Sequence, residues 1–281
     1  MARRLYINEP ISALATWSAR LGLFGLAVAA LSIVILRSGL LEVWPALATF
    51  AAGLGCAVLA ILLALGAFVA IWRQGLSGLG RALRGLILGI ALLAYPAYLG
   101  SKALKLPAIS DISTDTVNPP RFVALARERP NDRIAYPGEK AAALQRKAYP
   151  DIGPLQVGLP VRSAYEVALG VITKRRWAIA ETRPPAGARG TGTIEATART
   201  PLMGFRDDIS IRIAPLGAGA DATSRIDLRS ASRIGSVDFG ANAKRLRALM
   251  EDIDDAANNA PEPKPEPEPA KKPAPKRKPK K

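Results

Sequence analysis

The sequence contains no histidine and only one cysteine, and its first 105 residues hold just two acids, Glu9 and Glu42. Without histidine there is no Ser-His-Asp or Cys-His nucleophile system, no His-bearing zinc site and no usual general base for neutral pH. A single cysteine allows no disulfide within the chain. Cys56 lies inside an apolar run, where a small buried hydrophobe is the expected role. The glycine-rich stretch 187–192 does not read as a phosphate cradle, because such a loop leads into a helix N-terminus and here alternating strand residues follow. A hairpin turn is expected there. No cofactor and no metal are expected, and an enzyme reading starts without its commonest tools.

What is present divides by solvent. Residues 1–105 carry nine Lys/Arg, residues 106–260 carry 22 against 18 acids, and residues 261–281 carry eight against three. The basic excess therefore sits in the apolar N-terminal part and in the tail. A nucleic-acid footprint would put it on a folded module among aromatics, so no nucleic-acid partner is expected.

Uncharged runs at 21–36, 43–72 and 85–101 predict three membrane spans, at about 14–36, 43–72 and 82–101, with Pro96 kinking or ending the third. Small residues four apart in the second run (Ala48 and Ala52, Ala51 and Gly55, Gly66 and Ala70) predict close helix approach. No ionisable residue falls mid-span, so residues 1–105 read as an anchor rather than a transport path. Arg3, Arg4, Arg20, Arg73, Arg81 and Arg84 flank one side, against Arg37, Lys102 and Lys105 on the other. By the positive-inside rule the N-terminus is cytoplasmic. The chain is then expected to be a multi-pass bacterial inner-membrane protein whose C-terminal domain is periplasmic.

Residues 106–150, rich in Pro, Asp, Asn and Thr, read as an ordered extension or a linker. Residues 151–256 read as an α+β domain. A strand near 152–157 is followed by a helix signalled by the capping-box spacing Ser163 to Glu166, then by strands at 177–182, 193–200, 208–213 and 225–229. Asp238 can cap a last helix whose Phe239, Ala243, Leu246, Met250 and Ile253 share a face. The pleat puts Ile194, Ala196, Ala198, Ile209, Ile211, Ile213, Ile226 and Leu228 on one side. Glu195, Thr197, Arg199, Ser210, Arg212, Arg225, Asp227 and Arg229 fall on the other, which is expected to be solvated. The predicted fold class is thus α+β: a three-helix transmembrane anchor followed by a two-layer antiparallel sheet with two helices on one face, β-α-β-β-β-β-α and helix-grip-like. Residues 257–281, alternating proline with Glu and then Lys, predict a disordered, semi-stiff tail.

The motifs Thr114-Asp115-Thr116, Asn118-Pro-Pro-Arg-Phe122, Tyr136-Pro-Gly138, Ala148-Tyr-Pro-Asp-Ile152, Gly192-Thr-Ile-Glu-Ala196, Arg199-Thr-Pro-Leu-Met-Gly-Phe-Arg-Asp-Asp208, Arg229-Ser-Ala-Ser-Arg233 and Asp238-Phe-Gly-Ala-Asn242 resemble the bacterial domain-of-unknown-function family fourteen-ninety-nine. The resemblance spans roughly 109–254. It implies membrane association and no established activity, so no functional residue is carried over.

Candidate residues come from the sequence pattern. Asp207 and Asp208 suggest paired carboxylates, but neighbours on a strand face opposite ways and cannot converge on one ion without a bulge. Ser230, Ser232 and Arg233, beside Arg229, suit an anion better than acyl transfer, since no base accompanies the serines. Leu202, Met203 and Phe205, with Arg206, form an apolar corner bounded by Pro201 and Gly204. These residues either tuck over the core or make a recognition lip for a lipid, a peptide or a partner protein. The expected function is a membrane-anchored, non-catalytic binding or interaction module of the envelope. The bilayer would be one partner, and an envelope protein, a lipid or an anionic cell-wall polymer another. The alternative is a hydrolase or other enzyme using Arg206, Asp207, Asp208 and the 229–233 segment.

Overall fold

The computed structural model describes residues 9–39, 42–216 and 223–260. Residues 261–281 of the predicted tail and the Arg3 and Arg4 used in the orientation argument lie outside the described residues, whereas Ala257 and Asn258 close the last of the described helices. The chain opens with three antiparallel helices, α1 (Ala13–Ser38), α2 (Val43–Gln74) and α3 (Leu79–Ala103). All three are long and apolar enough to cross a membrane, with mean hydropathies of 2.2, 2.8 and 1.6. Even α3, at 25 residues, is about 38 Å long. Pro96 lies inside α3 and does not end it.

The helices meet through small residues. The packed stripe of α2 is Ala46, Gly53, Ala57, Ala60, Ala64 and Ala67. The predicted Ala48, Ala52, Ala51 and Gly55 face outward instead. The α2 run is apolar on every side, so hydropathy alone could not say which small residues face the neighbours. Ser18 and Ser32 of α1 donate hydroxyl hydrogen bonds to the carbonyls of Ala60 (2.7 Å) and Ala46 (2.6 Å).

Gly85 of α3 is the tightest approach: a Cβ there would lie 2.0 Å from Ser18 Oγ and 2.5 Å from the Ser18 carbonyl carbon. Gly85→Ala must therefore push α3 off α1 and disturb the Ser18 hydrogen bond, a cost of about 1–3 kcal/mol. Unfolding of the full chain in detergent by increasing SDS should show it as a lower midpoint. Gly55→Ala, where a Cβ meets nothing within 4 Å, is the control and should leave the midpoint in place.

The second part is a mixed α+β unit. Its elements are β1 (Asp111–Ser113), two short 3-10 turns (Leu125–Glu128 and Asn131–Arg133), α4 (Glu139–Ala148), β2 (Leu155–Val157), α5 (Val161–Lys174), β3 (Ala178–Arg183), β4 (Gly192–Arg199), β5 (Arg206–Pro215), β6 (Ser224–Ser232) and α6 (Ala241–Asn258). The sheet is antiparallel in the order β1-β6-β5-β4-β3, and β2 pairs with the other half of β6. From β2 onward the element order is the predicted one. Strand β1 is an addition from the segment preceding it.

Helix starts show what local signals can do. Asp238 reaches the start of α6 from two residues before its N-cap, Gly240, its carboxylate accepting from the backbone N–H of Gly240 (2.9 Å) and Asn242 (2.7 Å), while Phe239, expected on the helix face, precedes the helix at φ 54°. Ser163, by contrast, lies inside α5, which starts after Pro160. Proline pre-set for the first turn outweighs the capping-box spacing, and Glu166 instead faces Arg162 one turn back.

The apolar side of the sheet is as predicted: Ile194, Ile209, Ile211, Ile213, Ile226 and Leu228 are fully buried. Ala164, Tyr165, Ala168 and Ile172 of α5, with Leu246, Leu249 and Ile253 of α6, occupy the space above them. The opposite side is not solvated. Glu195, Thr197, Asp208, Ser210, Asp227 and Arg229 are buried there too, because residues 109–138 cross that face as a strap. The expectation of an open polar face fails for this reason.

Candidate functional site

Each residue's side of the pleat sorts the ten predicted site residues into three places. Register pairs Asp207 with Ala198 and Asp208 with Thr197, so the two carboxylates leave β5 on opposite faces. Asp207 turns toward α6 and meets Arg245 at 2.5 Å. Ser230 and Ser232 are on that same side: Ser230 donates to Asn242 Oδ1 (2.7 Å), and Asn242 donates to the Ser232 hydroxyl (3.0 Å). These contacts tie the start of α6 to the end of β6.

Asp208, Arg229 and Arg233 face the strap. Asp208 accepts from Thr197 (2.8 Å), from Arg129 of the strap (2.8 Å), and from Arg233 through both Nε (2.9 Å) and Nη2 (2.9 Å). Burial alone would lower the pKa of Arg233, but its bonds to Asp208 and Glu128 outweigh that and hold it above the ordinary guanidinium value. Arg129, more deeply desolvated, is lowered despite Asp208. Arg229 forms a two-pronged pair with Asp111 (3.0 and 2.7 Å) and donates to the Pro120 carbonyl (3.2 Å).

Between Arg129 of the strap and Arg229 of β6 stands Phe122, its ring 4.6 Å from the guanidinium carbon of each. Glu195 accepts three backbone N–H bonds from Val123, Ala124 and Leu125, which pins the first 3-10 turn to β4. Gln145 of α4 pairs with both backbone groups of Ser113, and Tyr136 donates to its amide oxygen, the phenol being pushed up to about 12 by burial and then by the Asp111 charge. Asp115 and Asp227 share Arg212 and Arg225 further along the sheet.

Chemically this face is a closed set. Each buried carboxylate already accepts from one or two guanidinium groups or from backbone N–H groups. A shallow cleft of about 250 Å³ borders the strap, lined among others by Asp111, Arg129, Asp132, Arg133 and Ser236, and the first two of these are committed to internal pairs. Among the described residues no three His, Cys, Asp or Glu side chains gather as metal ligands. Sequence reasoning missed the roles of Asp111, Phe122, Arg129 and Glu195, although both the strap and the strands' polar side carry charges of both signs.

The corner is the third place. Thr200 closes it, donating its N–H to the Phe205 carbonyl (2.9 Å) and accepting at its hydroxyl from the Phe205 N–H (2.9 Å). Leu202 is 39% exposed, and Met203 and Phe205 are half-buried. The corner does not hang free: Arg37 at the end of α1 donates to the carbonyls of Pro201 (2.6 Å) and Leu202 (3.3 Å), and Arg199 donates to the Arg37 carbonyl (2.9 Å). Gly204 has φ 72°, and a Cβ there would lie 2.9 Å from Arg37 Cγ, so the corner is pressed onto the helix end.

Three comparisons bear on identity. No curated protein matches the sequence. Among solved structures, that of the protein XoxI from Bacillus cereus is similar at 10% identity, covering 38% of this chain and 93% of that one, with a TM-score of 0.21. A family model described as protein of unknown function (DUF1499) matches residues 111–253, from the first residue of β1 to the last core residue of α6. Strap and sheet thus fall within one family unit, and the chain belongs to the DUF1499 family.

Proposed function

We propose that this protein is a membrane-anchored, non-catalytic interaction module of the bacterial envelope. In this reading α1, α2 and α3 cross the inner membrane, the sheet domain lies on the periplasmic side, and the corner 201–206 is the recognition surface. The observation that carries it is the junction itself: the corner is fastened to the end of α1 by Arg37 and Arg199 while Leu202 stays exposed. A domain tied to a helix end in this way presents the corner where the helix leaves the bilayer. Aromatics support two membrane levels. Exposed Trp17 and Trp72 lie at one end of the bundle, and exposed Trp44 and Tyr98 at the other, with Arg20 and Lys102 over the Trp17 and Tyr98 rings. The hydrolase alternative needs Asp207 and Asp208 to converge, and their opposite faces and arginine partners speak against it.

Two measurements test the reading. A reporter active only outside the cytoplasm, fused after Asp254, is expected to be active. Activity after Trp72 but not after Asp254 would move the domain to the cytoplasm and sink the periplasmic part. A photo-crosslinker placed at Leu202 in cells should give a discrete adduct to protein, lipid or wall polymer, absent when placed at exposed Glu166 of α5. No adduct at either position would remove the recognition role and leave the corner as a structural joint.

A further inference from the structure

Some of the chain's arginines face carboxylates and some, Arg121, Arg127, Arg133, Arg176 and Arg189 of the domain included, face none among the described residues; the junction differs in that three of the latter kind meet there. Arg129, Arg212, Arg225, Arg229, Arg233, Arg245 and Arg247 each face a carboxylate. Arg37, Arg199 and Arg206, all exposed at the junction with α1, have no carboxylate ion pair among the described residues. They are close together. Arg199 and Arg206 are register partners across β4 and β5, Arg199 donates to the Arg37 carbonyl, and Arg206 Nη2 would lie 3.9 Å from a Cβ on Gly39. Lys102 in the last turn of α3 and Lys105 just past its end lie at the same end of the bundle, beside the exposed Leu104. The negative end of the α1 dipole accounts for one nearby cation, hardly for three.

Cations gathered at the level where helices leave a bilayer, with an apolar residue between them, match the layered chemistry of a phospholipid. Guanidinium groups pair with phosphate oxygens, and each basic residue near an anionic surface adds to attraction. Leu202, flanked by these groups and partly exposed, would enter the acyl boundary beneath the phosphates. We propose that Arg37, Arg199 and Arg206, with Leu202 and Met203, form a seat for the headgroup phosphate of an anionic phospholipid in the leaflet next to the domain. This names the partner of the corner, and it rests on the membrane reading given above.

The test uses the full chain. Detergent-purified protein is compared by native mass spectrometry with the Arg199→Gln/Arg206→Gln double variant, after addition of phosphatidylglycerol or phosphatidylcholine. Wild type is expected to retain phosphatidylglycerol preferentially, and the double variant to hold it about fivefold more weakly per arginine removed. Arg199→Gln also removes the hydrogen bond to the Arg37 carbonyl, so thermal midpoints are read alongside, and Arg199→Lys/Arg206→Lys, which keeps both charges, is expected to restore retention.

A second readout is position. In a Cys56→Ser background, a fluorophore at Leu202→Cys in nanodiscs should be quenched by lipids brominated near the top of the acyl chain, and one at Glu166→Cys should not. Equal retention of both lipids, or no quenching at 202 in a protein that stays in the membrane through an alkaline wash, overturns the lipid seat and leaves the membrane reading standing. Loss of the chain from the membrane in that wash overturns both. Adducts from Leu202 in cells that contain only protein would also overturn the seat, in favour of a protein partner.

Discussion

Asp208→Asn is expected to destabilise the sheet domain by about 3–5 kcal/mol, because it removes the one charge that two buried guanidinium groups share. For a unit of this size that is a fall in midpoint of roughly 6–20 °C. Asp208 is fully buried, and Arg129 and Arg233 are each within 2.9 Å of it. An amide of the same shape turns half of that acceptor surface into donors aimed at donors. Thermal unfolding of the full chain in detergent, followed by the fluorescence of Trp177 after Trp17, Trp44 and Trp72 are changed to Phe, isolates the domain. Glu139→Gln is the matching control, since its Arg146 partner is 50% exposed, and a loss within about 1 kcal/mol is expected there. Should the two variants melt together, the buried network would not hold the strap down.

Phe122→Ala is expected to cost a comparable 3–5 kcal/mol, through the cavity and through two guanidinium groups left facing it. The ring is 4% exposed and also packs with Leu125 and Ala231. Phe122→Leu separates the causes: it keeps most of the volume and removes the π face, so a loss of about 1–3 kcal/mol is the share of the two cation–π contacts. Urea unfolding read at Trp177 measures both variants. A leucine variant as stable as wild type would mean the arginines merely pass the ring. Asp208→Asn and Phe122→Ala both act on Arg129, so their combined effect should fall short of the sum.

Much of the domain was legible because a strand's alternation is a local property. The side taken by Ile194, Ile209, Ile211, Ile226 and Leu228 follows from the pleat alone, as does the divergence of Asp207 and Asp208. The pleat says where a side chain points and nothing about what lies there. Glu195 and Arg229 read as solvent-facing because charged residues usually are, yet each is buried against a segment with no periodic pattern of its own. The strap lacks helix or strand rhythm because its contacts are backbone N–H groups offered to Glu195, one ring between two arginines, and a three-residue strand. Hydropathy likewise located three helices but not their contact faces, since a run that is apolar all round carries no moment. The link between Arg37 and the corner joins residues more than 160 positions apart, and no local pattern reports such a pairing.

The short strand β1 has a consequence in time. Asp111 reaches Arg229 across 118 positions of sequence, and β1 has no sheet to join until β6 has been synthesised. On a ribosome, helices α1 to α3 and the strap would be complete while the strap's partners on β6 were still unmade. Closing so long a loop is slow compared with local helix formation. During that interval Phe122 would stay in water, and the strap's charges would favour solubility. Pairing of β1 and closure of the Asp111–Arg229 contact would then wait for the emergence of residues 224–232. Chains halted before that point would carry β1 unpaired and Asp111 without its arginine.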